Sequence, residues 1–192
     1  TRGEDHVAGF HLLDEATGEY NLSYLRTHFP AGGVKLMRGV GRLQGFMVQK
    51  GNPLGIKGVE DLLKEGLRYV NRQRGAGTRI LLDYLLQQKG IQADQIYGYE
   101  REEFTHLSVA AQIASGSADA GLGIYSAAAS YGLDFIPVCV EQYDILMDET
   151  FTQSTLFDAF ASIIRSKEFE ERLTQLGGYT FTDTGKMVEY LD

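Results

Sequence analysis

Along this chain, short runs of continuous or alternating apolar positions trade places with stretches in which apolar residues return every three or four positions. The first pattern suits strands and the second suits helices. His6 to Leu13 reads as a strand, and Asn21 stands where it can cap a short helix from Leu22 to Phe29, ended by Pro30-Ala31-Gly32-Gly33. Val34 to Arg38 and Leu43 to Gln49 read as two strands; Val59 to Glu65 reads as a short helix stopped by Gly66. Leu67 to Val70 forms a strand running into a glycine-rich turn, after which Leu81, Leu82, Leu85 and Leu86 mark one helix face and Gly90 closes it. Thr105 caps a helix carrying Val109, Ala110 and Ile113, and the small-residue strand Ala118 to Ile124 follows. A short helix through Tyr131 comes next, then strands at Phe135 to Val140 and Tyr143 to Met147. Ser154 precedes a helix with Phe157, Phe160 and Ile164, and a last helix carries Phe169, Leu173 and Leu176. Such alternation defines the α/β class with mainly parallel central strands.

Composition narrows the picture without naming a function. The chain has 192 residues, of which 43% are hydrophobic and 23% charged, ample for one domain or two small lobes. A formal charge of −8 argues against a nucleic-acid or anionic-membrane surface. The single cysteine, Cys139, excludes an intrachain disulfide and reads as a buried, inert thiol. His6, His11, His28 and His106 lack metal-site spacing, and no GxSxG elbow is present, so neither a metal centre nor an enzyme is expected. Thr1-Arg2-Gly3-Glu4-Asp5 carries no apolar leader, which favours a cytoplasmic chain; a periplasmic one is the alternative if a signal segment was removed.

The candidate chemistry concentrates in Asn71-Arg72-Gln73-Arg74-Gly75-Ala76-Gly77-Thr78-Arg79. Four arginines fall between Arg68 and Arg79, where overall composition predicts roughly one. The turn has almost no side-chain bulk and opens a helix, whose first N–H groups lack partners and whose dipole end is positive. An oxyanion answers both needs. No lysine follows the glycines as a P-loop requires, and the third glycine of a dinucleotide fingerprint is absent. Further candidates are His11 at a strand end, Tyr125 after Ile124, and Tyr143 after Glu141-Gln142, each placed to offer a donor to an anion.

The stretches Asp5 to Asp14, Thr17 to Asn21, Asn71 to Arg79, Ile113 to Tyr125 and Glu141 to Met147 together resemble the type II periplasmic-binding-protein superfamily. The resemblance runs toward molybdate- and tungstate-binding proteins, and toward the like domain of molybdopterin-biosynthesis fusions and helix-turn-helix regulators. It implies two lobes joined by crossing strands: residues 1–48 and 143–192 in lobe I, and residues 49–142 in lobe II. Family members open with a strand–helix unit bearing a serine turn; this chain starts after it, so lobe I is expected to lack that unit.

The resemblance implies Ala76, Gly77, Thr78, Ile124, Tyr125 and Tyr143 as ligand contacts, to which the residue pattern adds His11, Arg72, Gly75 and Arg79, with no metal and no cofactor beyond a molybdate- or tungstate-type ligand expected. Neutral N–H and O–H donors suit a fully ionised tetrahedral anion and disfavour protonated look-alikes. The function implied is a non-catalytic binding domain, a sensor or delivery module in molybdenum metabolism or uptake. Its expected partners are a fused helix-turn-helix or molybdopterin-biosynthesis domain. The alternative is the effector domain of a transcription factor that recognises a small organic ligand.

Overall fold

The structure, a computed structural model, describes residues 6–191. The opening Thr1 to Asp5, read above for a leader, lies outside the described residues. The chain divides into two compact units: residues 1–42 with 141–192, and residues 43–140. Both boundaries fall inside long strands, six residues and two residues before the positions expected from sequence.

In the first unit, strand β1 (Val7–Phe10) is followed by helix α1 (Leu22–His28), and strand β2 (Val34–Val48) begins here. Strand β6 (Asp134–Asp148) ends in this unit, between β1 and β2. Helices α5 (Thr155–Ile164) and α6 (Lys167–Leu176) follow, then the two-residue strands β7 (Tyr179–Thr180) and β8 (Met187–Val188), which pair with β2. Ser154 and Ser166 cap the two helices by accepting from the N–H groups of Phe157 and Phe169. Leu25, Leu36 and Tyr190 form one buried cluster; Met37, Met147 and Ala161 form another, lined by Phe157, Phe160 and Ile164.

Two expectations change here. Asn21 does not cap α1: its backbone sits at φ 73° and its side chain makes no cap bond. Its Oδ1 accepts the Leu12 N–H at 2.8 Å, and its Nδ2 donates to Asp144 Oδ2 at 2.9 Å. A buried carboxylate drew the amide away from the helix end. The strand pairs expected around residues 39–42 and 141–142 are each one continuous strand, β2 and β6. Gly39 permits this: a Cβ there would stand 2.0 Å from the Tyr143 carbonyl oxygen.

In the second unit, β2 pairs with β5 (Ala120–Ile124), and β3 (Asn71–Arg72) pairs with β4 (Glu102–Glu103). Helices α2 (Gly77–Lys89), α3 (His106–Ala114) and α4 (Tyr125–Ser130) complete it. Thr105 caps α3 by accepting from the Ser108 N–H, and Gly90 ends α2 in the left-handed region at φ 66°. Residues 59–63 form a single 3₁₀ turn. Met47, Val70, Val109, Ala110 and Ile113 make the core. The small residues of β5 follow from this packing: a Cβ on Gly121 would lie 2.6 Å from Val109 Cγ1.

The fold is mixed α/β, but strand direction departs from the expectation. β1–β6, β2–β5, β2–β7 and β2–β8 run antiparallel; β3–β4 and the Tyr69–Ala120 bridge are parallel. Apolar periodicity reports which face of a strand is buried and carries no information about its direction. Cys139 is half-buried within β6 and not enclosed as expected.

Candidate functional site

The start of α2 is built from Gly75, Ala76, Gly77 and Thr78. Gly75 takes φ +83°, a conformation that favours glycine, and its absent Cβ leaves open space. Ala76 is extended and serves as N-cap with a methyl group, so no side chain bonds to the helix end. The Arg79 and Ile80 N–H groups bond to the Ala76 carbonyl at 2.9 and 3.1 Å. Among the described residues, no acceptor is recorded for the N–H groups of Gly77 and Thr78. They carry the positive end of a thirteen-residue helix.

Thr78 is buried, and its hydroxyl donates to Gln44 Oε1 at 3.1 Å. Gln44 is fully buried, and its Nε2 has no hydrogen-bond partner. In the β2–β5 ladder Gln44 stands opposite Ile124, the residue before α4. The strand end named from sequence and the helix start named from sequence are therefore both tied to one residue, Gln44, that sequence reasoning passed over. Tyr125 opens α4, over a third exposed, with its ring edge-on to Phe135 at 5.4 Å between centroids. A signal for Gln44 did exist: it is a lone amide in the apolar run Leu43-Gln44-Gly45-Phe46-Met47-Val48.

The arginines are committed elsewhere. Arg79 is buried, ion-paired with Glu102 and stacked over the Tyr99 ring at 4.6 Å. Arg72 donates to the Phe104 carbonyl at 3.0 Å and to Gln73. Arg74 meets Glu100 at 3.0 Å, and Arg68 meets Asp119 at 2.7 Å. The Arg68 hydrogen bonds hold the Asp119 carboxyl below its ordinary range, and Arg74 does the same for Glu100. A cavity of about 240 Å³ beside the turn is lined by Arg74 and Arg79 but equally by Asp83 and Glu100. Glu100 and Glu102, with Asp119, are the counter-charge to the arginine cluster.

In the first unit His11 and Tyr143 come together around a residue not named from sequence, Glu141. His11 Nδ1 lies 2.8 Å from Glu141 Oε1, and Arg42 donates from Nε and Nη2 to Oε2 at 2.8 and 2.5 Å. The Tyr143 ring stacks on His11 at 4.9 Å, and the Arg42 guanidinium lies 4.4 Å from its centroid. Burial pushes the Glu141 carboxyl up; the His11 bond and the Arg42 charge outweigh it and hold it below its usual value. Gly9 makes room, since a Cβ there would lie 1.9 Å from the Tyr143 hydroxyl. Next to it, fully buried Asp144 accepts from Asn21, Arg38, the Gly39 N–H and Gln142 at 2.8 to 3.1 Å. No cluster of metal-ligating side chains, and no helix long and apolar enough to cross a membrane, occurs among the described residues.

Residues 1–165 match the PBP superfamily domain, and the chain belongs to that family. Over 187 residues it is 37% identical to the protein YvgK of Bacillus subtilis, covering 97% of this chain and 60% of that one. It is also 37% identical over 113 residues to a protein from the 5′ region of a ferredoxin gene of Clostridium pasteurianum, covering 58% of this chain. The chain thus spans about 60% of the length of its Bacillus relative. Its fold is shared with PEB3 bound to L-phospholactate, at TM-score 0.56 and 18% identity over 92% of this chain and 80% of that one. The aliphatic sulphonate binding protein SsuA of Escherichia coli also shares it, at TM-score 0.52 and 16% identity over 91% and 60%.

Proposed function

We propose that this ligand-binding domain takes a small tetrahedral oxyanion of the molybdate or tungstate type, gripped at the start of α2. One observation carries the reading: Gly77 and Thr78 present N–H groups with no acceptor among the described residues at a partly buried helix start, beside the buried Gln44 amide whose Nε2 also lacks a partner among them. Unmet donors of this kind favour an acceptor-rich anion, and the helix dipole adds to the attraction. Ala76, Ile124 and Tyr125 frame the site, whereas Arg72 and Arg79 brace the turn and set its field. His11 belongs to the ligand set on its place at a strand end alone, and Tyr143 on its placement and the family resemblance. The domain acts by binding and not by catalysis, as a cytoplasmic sensor or delivery module joined to a helix-turn-helix or molybdopterin-biosynthesis partner.

PEB3 and SsuA are described with L-phospholactate and aliphatic sulphonates, both of which carry a tetrahedral oxyanion group. At these identities they share the fold, and the chemistry proposed rests on this chain's own donors. A second reading, an organic effector, draws on neighbours described as an ancestral amino acid-binding protein and a histidine kinase sensor domain. Calorimetry with molybdate, tungstate, sulfate and phosphate separates the two. Micromolar or tighter binding of molybdate is expected; no heat and no thermal shift with any of the four would sink the oxyanion reading.

A further inference from the structure

The Gln44 amide is the most unusual polar group in the second unit. It lies on β2, fully buried, and a buried N–H donor left unsatisfied is costly enough that folded proteins rarely keep one. Its oxygen is used: Thr78 Oγ1 donates to Oε1 at 3.1 Å. That bond ties the planar amide to the second residue of α2 and leaves the Nε2 limb beside the same helix start, where the Gly77 and Thr78 N–H groups are also open. The three donors stand on two elements, β2 and α2, held in register by the β2–β5 ladder and the Thr78 bond. An apolar residue of similar volume, such as Met, would fill this place without an orphaned group. A glutamine there is explained by something that accepts from it.

We infer that Gln44 is a ligand-contacting and specificity-determining residue: its Nε2 donates to an oxygen of the anion bound at α2 and so selects fully deprotonated oxyanions. The inference rests on the oxyanion reading and adds to it. With Oε1 committed to Thr78, Gln44 can only donate toward the site. A ligand oxygen that carries a proton would set hydrogen against hydrogen. Molybdate, tungstate and sulfate bring no proton at neutral pH, while phosphate carries two at the acid side of neutral and still keeps one at the alkaline side.

The test is calorimetry of the full chain with molybdate, sulfate and phosphate, on wild type, Gln44→Met and Gln44→Glu. Gln44→Met loses one charge-assisted hydrogen bond, so molybdate binding should weaken roughly 10- to 100-fold. Gln44→Glu places an acceptor against the anion and should weaken it further still. For wild type, phosphate should bind more tightly as pH rises from about 6 to about 8.5, while molybdate and sulfate stay level. Because a variant at a buried site can misfold, a second measurement uses wild type alone. In ¹H–¹⁵N spectra the Gln44 side-chain NH₂ pair should shift on addition of molybdate.

If wild type binds no oxyanion, the functional reading and this inference fall together. If wild type binds but Gln44→Met binds equally well, or the NH₂ pair does not move, only the role of Gln44 falls. Tighter phosphate binding at low pH would mean that the amide stands the other way round, accepting from the ligand, and would overturn the inference as well.

Discussion

Two polar clusters, one in each unit, are buried to similar degrees and finished very differently. Around Glu141 and Asp144 the carboxylate oxygens are answered: Arg42 and His11 hold one, and Arg38, Asn21, Gln142 and the Gly39 N–H hold the other. At the start of α2 the donors of Gly77, Thr78 and Gln44 go unanswered. Charge alone would have pointed to the first cluster as the site, since it holds the buried ions. Satisfaction points to the second, because a saturated network has nothing left to offer a ligand, whereas unpaired donors retain their full desolvation penalty until something accepts from them.

That contrast can be broken experimentally. The largest effect should come from Asp144→Ala, which removes a carboxylate accepting from four groups and leaves Arg38 uncompensated. A loss of about 3–5 kcal/mol is expected in urea unfolding. Retention of wild-type stability would show that this network is not a structural brace. Glu141→Gln should cost about 3 kcal/mol, because Arg42 loses its charge partner. Its sign with pH is fixed by the lowered carboxyl: between the native-state value and the ordinary glutamate value, the native state binds fewer protons than the unfolded one. The Glu141 contribution is therefore present at neutral pH and lost as pH falls through the native-state value. Wild type should lose this increment on acidification, and Glu141→Gln should not.

Smaller effects belong to the open cluster. Gln44→Met should change unliganded stability by less than about 1 kcal/mol, since the orphaned donor that it removes offsets the lost Thr78 bond. Its thermal stabilisation by molybdate should nevertheless shrink markedly, the reverse of the pattern expected at Glu141. Arg74→Gln should be smaller again. Arg74 and Glu100 are both well exposed, and such a pair contributes about 0–1 kcal/mol. A loss of oxyanion affinity beyond about threefold would return the arginines to the site itself. Least of all, Asp148, held near pKa 2 by Thr150, His6 and the Phe151 N–H, gives stability that is full above the ordinary aspartate range and declines toward pH 2. Asp148→Asn should flatten only that acid edge of the melting curve.

The elements that were legible are those whose signal is local. The Thr105 cap, the helix start at Ser154, the Gly90 stop and the leucine face of α2 all follow from neighbours within a turn or two. The glycine-rich turn was legible for the same reason. Features that depend on distant residues were not. Asn21 looked like a cap until Asp144, far along the chain, claimed its amide. The arginine cluster looked like an anion trap until Glu100, Glu102 and Asp119 folded against it.

By itself, then, the sequence determined an α/β chain with an uncapped helix start at Gly77, because periodicity, capping and glycine freedom are properties of short segments; the family was legible only through the resemblance of longer stretches. Only the tertiary structure decided which polar groups are spent and which remain open. Pairing Glu141 with Arg42, matching arginines to acids and leaving Gln44 Nε2 unanswered are outcomes of strand register and packing between segments distant in the sequence. Hydrogen-bond satisfaction is a property of the assembled fold, and it is what separates the brace from the proposed site.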